Sequence, residues 1–250
     1  MNLFKSWKMK HGKEEKWFAD CLKKYKKLDV SKRFELEEND FLKVVNENTS
    51  TTAYDTHYEY HPAWAARVLA KTQPSKHIDI SSKLAFSTLV SAFVPIEFYD
   101  YRPATLQLDN LVCKQADLTA LPFENNSVSS LSCMHTVEHI GLGRYGDEID
   151  PDGDLKAIRE LQRVVAEQGN LLFVVPVGRC RRLHFNAHRI YTYDMITEYF
   201  DTFELVNFAF IRSIVGNDEY KPNASRKDSF TDDYGCGCFW FKKPIGPNKK

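Results

Sequence analysis

The sequence carries no surplus of charge of either sign. Lys and Arg number 34, and so do Asp and Glu, among 250 residues. A balanced chain lacks the basic excess that drives bulk binding to nucleic acid, so no nucleic-acid partner is expected. No run of 18 apolar residues occurs, so no segment is expected to span a bilayer. The opening MNLFKSWKMKHGKEEKW is basic but lacks the apolar stretch of a secretory leader. The six cysteines, Cys21, Cys113, Cys133, Cys180, Cys236 and Cys238, contain no CxxC, which argues against a zinc ribbon or a thioredoxin-type motif. Cys236 and Cys238 share one face of a strand, too strained a pair to assume a bridge. Internal repeats and low-complexity tracts are missing as well. What remains is a globular chain with reduced, mostly buried thiols, and the expected location is cytoplasmic. At 29.0 kDa it can bury a full core without staples.

Charge is nonetheless uneven along the chain. Residues 1–33 hold 11 Lys and Arg against 4 Asp and Glu. Phe4, Trp7, Phe18, Cys21, Leu22, Tyr25 and Leu28 recur there at roughly helical spacing, leaving one basic face. Two readings stay open: a helix packed on the main domain, or an amphipathic segment in peripheral contact with a membrane or another anionic surface. The polar stretch 46–56 suits a linker. The expected organisation is a basic helical extension and linker over 1–56, then an α/β domain over 57–250.

Within that domain Pro62 is expected in the first turn of a helix running to about residue 72. Beyond Pro74, short β-rich runs alternate with helical ones. Strands are expected at 77–81, 95–101, 111–118, 128–135 and 170–177, with a helix over 154–165 before the last. Strand, helix, strand in sequence implies a parallel sheet with crossover helices. The tail is read as a helix over 192–200 and strands at 203–211 and 236–243. A long polar segment between those strands is either an ordered excursion or a flexible loop.

Ligands of open α/β sheets bind beyond the carboxyl ends of the strands. Those ends carry, in order, Asp79-Ile80-Ser81-Ser82, Asp100-Tyr101, Ala116-Asp117-Leu118, Met134-His135 and Pro176-Val177-Gly178. A carboxylate after the second strand suits a ribose diol, and Asp117 after the third can accept from an adenine amine. No GxGxxG follows the first strand, which counts against a Rossmann oxidoreductase.

The run ADLTALPFENNSVSSLSCMHTVEHI (116–140), followed by DGDLKAIRELQRVVAEQGNLLFVVPVG (152–178), resembles the class I S-adenosylmethionine-dependent methyltransferases. It is closest to a methyltransferase-11-like, poorly characterised bacterial branch, some of whose relatives occur among surface-polysaccharide genes. The resemblance covers about two thirds of the chain. It implies a Rossmann-like, seven-stranded, mostly parallel sheet ending in an antiparallel hairpin. It implies S-adenosylmethionine as cofactor, lined by Asp79, Ser81, Asp100, Asp117, Leu118 and His135. It also implies methyl transfer to a polar acceptor, small molecule or saccharide, with a sugar hydroxyl as the leading candidate. One departure is plain: Ser81 and Ser82 stand where the family carries glycines that bring backbone amides close to the cofactor and tolerate positive φ. That departure favours the rival reading, a non-catalytic binding protein or partner subunit that kept the fold.

For the proton of an acceptor hydroxyl, the resemblance puts His139 and Glu138, just after the fourth strand, close to the expected methyl position, and His188 is the other candidate base. Glu138-His139 also reads as a structural or cofactor-orienting pair. The stretch 181–191 reads as a loop over the acceptor side. His184, Asn186 and Arg189 are expected to contact the acceptor, with Arg182 or Arg189 meeting an anionic group. His184 and His188 alone do not close a metal site, and the acidic run 146–154 fails the EF-hand pattern, so no metal is expected. Asp152 or Asp154 is instead read as a helix cap. His57-Tyr58-Glu59-Tyr60-His61 is either a cap on the cofactor pocket or a structural helix entry.

Overall fold

The computed structural model describes residues 3–212 and 219–246, with side chains from residue 12 onward. The chain forms two compact units, divided between Tyr54 and Asp55. The first carries helix α1 (Leu3–Leu28), lysine-rich and ending in Lys26 and Lys27. Inside this unit Phe18 meets Phe41 edge to face at 6.2 Å, and Lys43 pairs with Glu15 at 2.9 Å. Trp17, Tyr25 and Leu28 are exposed. The expected apolar positions Phe4 and Trp7 have side chains outside the described residues. No described helix is long and apolar enough to cross a membrane.

The second unit begins with α2 (Thr56–Thr72), β1 (His77–Ile80), α3 (Leu84–Val90), β2 (Ile96–Asp100), β3 (Leu111–Gln115) and β4 (Val128–Met134). It continues through α4 (Gly153–Val164), β5 (Val165–Val177), β6 (Arg182–His184), β7 (His188–Ile190) and α5 (Tyr193–Tyr199). It closes with β8 (Glu204–Arg212), β9 (Glu219–Lys221) and β10 (Gly235–Lys242). The main sheet runs β3-β2-β1-β4-β5-β10-β8-β9. The first five are mutually parallel, while β10 is antiparallel to both β5 and β8. The core strands and the antiparallel end therefore follow the expected pattern, with β9 added as a short edge.

The sheet is covered on both faces, as its parallel half requires. On one face α4 buries Ala157, Ile158, Leu161 and Val164, one stripe at helical spacing, against Phe173 and Val175 of β5. On the other, Trp64, Ala65, Val68 and Leu69 of α2 pack with Leu172 and Val174. β5 alternates between the two cores and is buried from Leu171 to Val177. Truncating Phe173 to alanine would cost about 3–5 kcal/mol on that account.

Several expectations change. Among the described residues crossover helices occur only as α3 and α4; residues 101–110 and 116–127 link parallel strands without a helix. Pro62 lies inside α2, because Asp55 caps the helix earlier by accepting from Tyr58 N–H at 3.0 Å. A proline has no N–H for the Tyr58 carbonyl four residues back. Lys83 Nζ approaches that carbonyl instead, at 3.4 Å. Residues 182–190 form a two-stranded ribbon rather than a loop, which places His184 and His188 as a cross-strand pair. Asp152 occupies the cap position of α4 but makes no side-chain cap bond. Of the polar segment after β8, residues 213–218 lie outside the described ones, and the remainder is ordered as β9 and a short 3-10 turn, Asp228–Thr231.

A polar chain runs through the middle of the sheet. His77, Asp79, Ser87 and Ser132 have no solvent exposure. Ser132 donates to Asp79 Oδ1 at 2.6 Å, so its oxygen accepts from His77 Nε2 at 2.9 Å, while Ser130 donates to His77 Nδ1 at 2.8 Å. Ser87 donates to the other Asp79 oxygen. Burial pushes Asp79 up to about 6 despite these donors, and pushes His77 down to about 3. The two act oppositely on stability. Unfolded His77 takes a proton near 6.5 that the folded chain refuses until about 3, so stability falls as pH drops through that window. Asp79 favours the fold at low pH and loses that contribution as pH rises from 3.8 to about 6. The stability penalty of His77→Gln, measured by urea unfolding, should therefore shrink between about pH 7 and about pH 5; a penalty constant over that range would contradict the account.

Candidate active site

β1 has β2 on one side and β4 on the other, so the strand order reverses between β1 and β4. Crevices open at such switch points. The chain leaves both strands in a conformation side chains rarely adopt: Ser81 has φ 52° and His135 φ 54°. The two exits are stitched together. Met134 N–H donates to Ser82 Oγ at 3.2 Å, and Thr136 Oγ1 donates to the Ser81 carbonyl at 3.0 Å. Serine thus holds the left-handed turn where glycine was expected, and the backbone path is kept.

Two cavities adjoin at Ser81 and Tyr145. The first, about 470 Å³, is walled by Tyr58, His135, Glu138, His139, His188 and Tyr234. The second, about 430 Å³, is walled by Tyr101, Asp117, Leu118, Thr136, Gly141 and Lys156. Its rim needs Gly141, whose φ is +77° and where a Cβ would meet the Asp150 carbonyl at 2.0 Å. Asp147 ties this loop by accepting from Gly141 N–H at 2.8 Å and Tyr145 N–H at 3.1 Å.

The first cavity is built on a buried carboxylate. Glu138 is 1% exposed. Its Oε1 accepts from His135 Nδ1 at 2.8 Å and lies 3.8 Å from His139 Nε2. Its Oε2 has no partner among the described residues. His139 Nδ1 donates to the Ala187 carbonyl at 2.6 Å, which leaves the Nε2 lone pair free in the neutral ring. Arg144 donates to the same carbonyl at 3.0 Å. Burial opposes a charge on His135, while the adjacent Cys236 sulfur and the Glu138 carboxylate favour one. Burial and the nearby His184 hold His188 below its ordinary value. Tyr58 is pushed up to about 12 by burial and by Glu138, so it stays a phenol that can donate.

The expected site residues are distributed as follows. Ser81, Asp117 and Leu118 line the second cavity, and Asp100 stands at the end of β2 beside Tyr101, one oxygen accepting from Arg102 N–H at 2.7 Å. His135, Glu138, His139 and His188 line the first. Asp79 lines neither: it is fully buried beneath the turn and supports it through serines. Arg189 is not available to an acceptor, because it donates to the carbonyls of Ile140 at 2.7 Å and Pro151 at 3.1 Å and faces Asp154 at 3.5 Å. It borders a separate cavity of about 410 Å³ with Tyr191 and Tyr199. His184 and Asn186 are exposed on the ribbon. Tyr234 and Arg144 carry no expectation from the sequence, and Tyr58 enters only within the His57–His61 run, read as a cap on the cofactor pocket or a helix entry.

Known structures share this architecture. N-methyltransferase NodS from Bradyrhizobium japonicum, solved with S-adenosylhomocysteine, aligns over 76% of this chain and 90% of its own, with TM-score 0.53 and 14% identity. The 1,6-didemethyltoxoflavin-N1-methyltransferase of Burkholderia thailandensis, also with S-adenosylhomocysteine, aligns over 75% and 80%, with TM-score 0.52 and 10% identity. The fold is that of the class I S-adenosylmethionine-dependent methyltransferases. The same methyltransferase fold serves SpnF, a [4+2]-cyclase, which aligns over 79% of this chain and 86% of its own with TM-score 0.50 and 13% identity. A protein family described as Caenorhabditis protein of unknown function, DUF268, matches residues 122–222. No curated protein matches the sequence.

If Ser81 holds its left-handed turn against an intrinsic preference, Ser81→Gly should raise stability by about 0.5–1 kcal/mol in denaturant unfolding. A loss of stability would show that the serine side chain contributes more than its backbone strains.

Proposed function

We propose that the protein transfers a methyl group from S-adenosylmethionine to a polar acceptor, with a saccharide hydroxyl as the leading acceptor class. One observation carries this reading: two cavities of different chemistry meet at the β1 turn, an acid-and-apolar one and a histidine-lined one. The first kind suits a nucleoside. Leu118 and Ala116 offer an apolar wall and Asp117 an acceptor for an exocyclic amine, while Asp100, at the end of β2 next to the lining residue Tyr101 but outside the lining of either cavity, is the acceptor for ribose hydroxyls in this reading. The Ser81 turn keeps the backbone path that the cofactor's tail would need, so the residues fit the cofactor despite the missing glycines. When bound, that cofactor supplies an electrophilic methyl on a sulfonium.

The remaining chemistry belongs to the protein. His139 Nε2 is the basic atom, because Nδ1–H is committed to Ala187. It takes the proton of the acceptor hydroxyl as the oxygen becomes nucleophilic. Glu138, 3.8 Å away, stabilises the imidazolium that forms. His188 and Tyr58 orient the acceptor from the opposite walls. His184 and Asn186 on the ribbon are positioned to contact a longer acceptor, and Arg189 braces the ribbon from behind.

The test uses S-adenosylmethionine labelled in the methyl and a panel of nucleotide sugars and oligosaccharides. Label should move to a saccharide, and His139→Ala should slow transfer by about 10²–10⁴-fold while S-adenosylhomocysteine binding persists. Unchanged transfer in His139→Ala would remove His139 as base. Cofactor binding without transfer to any acceptor would favour the non-catalytic reading.

A further inference from the structure

Behind the His135 wall of the larger cavity, three buried donor groups converge from distant parts of the chain: His61 on α2, His135 after β4, and Cys236 in β10. One ligand atom from each lies within 4.8 Å of the other two. His61 and Cys236 are 0% exposed and His135 is 9% exposed. Hydrogen bonds decide which nitrogens are committed. His61 Nδ1 donates to the His57 carbonyl at 2.7 Å, and His135 Nδ1 donates to Glu138 at 2.8 Å. Both Nε2 atoms are buried and have no hydrogen-bond partner among the described residues. A buried polar atom left so costs about 1–3 kcal/mol, and two beside one thiol call for a common acceptor of their lone pairs. An imidazole anchored through one nitrogen to a carboxylate or carbonyl, with the other nitrogen open, has the outer-shell support typical of a metal ligand.

We propose that His61, His135 and Cys236 bind a zinc-class divalent ion through the two Nε2 atoms and Sγ. Two imidazoles and a thiolate form a borderline-soft donor set, which selects Zn²⁺ over Mg²⁺ or Ca²⁺. Binding displaces the Cys236 thiol proton to solvent, and Glu138 compensates part of the ion's charge from behind His135. The ion ties α2 to the ends of β4 and β10, and so fixes the Tyr58 wall of the cavity. Three protein ligands leave one tetrahedral position for water or substrate. Cys238 Sγ lies 3.9 Å from Cys236 Sγ, so the thiols must be kept reduced. The ligands sit at positions 61, 135 and 236, a spacing no local motif signals, which is why none was expected from sequence. The site does not depend on methyl transfer.

The full chain, kept in a non-thiol reductant and stripped by chelator, would be titrated with Co²⁺ and then Zn²⁺. One equivalent of Co²⁺ should bind with a thiolate-to-cobalt charge-transfer band, and Zn²⁺ should displace it and raise the melting temperature. Cys236→Ser should abolish the band, and His61→Ala should weaken binding by roughly tenfold or more, both checked for folding by circular dichroism. Cys21→Ser should retain it. A wild type that binds no Co²⁺, or a band that survives in folded Cys236→Ser, would overturn the proposal. S-adenosylhomocysteine binding to the metal-free chain reads the methyl-transfer reading separately.

Discussion

The join between β1 and β4 is the constraint on which the site depends. Both strands end in a left-handed residue, and each exit is hydrogen-bonded to the other through Ser82 and Thr136. Asp79 underlies the join without reaching solvent. Its carboxylate gathers Ser87 from α3 and Ser132 from β4, so helix, turn and both strands share one buried acceptor. A buried carboxylate is tolerated only when it is so satisfied. Because those donors come from separate segments, one carboxylate ties α3 and β4 to the end of β1.

Glu138 plays the corresponding part on the other side of the turn. It anchors His135 and lies close to His139, and the two histidines then have different duties. His139 keeps a lone pair facing the cavity, while His135 turns its open nitrogen toward His61 and Cys236. One carboxylate therefore orients the group proposed to bind an ion and lies 3.8 Å from the group proposed to move a proton, which the Ala187 carbonyl orients. The cavity beyond Ser81 and Tyr145 holds Asp117 and Leu118, so the proposed proton transfer and the proposed nucleoside recognition fall in two adjoining cavities.

Much of this was legible in the sequence. Alternating strand and helix patterns, polar strand ends and the 116–140 run placed the sheet and, of the cavity walls, Ser81, Asp117, Leu118, His135, Glu138, His139 and His188. What escaped has physical reasons. Pro62 reads as a helix start, but Lys83 takes up the carbonyl it frees and Asp55 caps the helix earlier. Residues 182–188 (Arg-Leu-His-Phe-Asn-Ala-His) do alternate polar and apolar, the period-2 mark of a ribbon, but the alternation is spread over two strands of only three residues each. His184 and His188 stand at a spacing that suits a helix or a loop, and only strand pairing shows a hairpin. Arg189 resembled an anion binder, yet its guanidinium is spent on backbone carbonyls, which local sequence does not reveal. The His61–His135–Cys236 cluster arises from tertiary contact alone.

The central claim is that the crevice at the β1–β4 switch receives the adenosyl cofactor even though serines replace the usual glycines. Calorimetry of the purified chain with S-adenosylhomocysteine tests it most directly, with Asp100→Ala as the control. The account predicts one saturable site in the wild type, weakened by about 1–3 kcal/mol in Asp100→Ala. Absence of binding in the folded wild type, or affinity indifferent to Asp100, would contradict it.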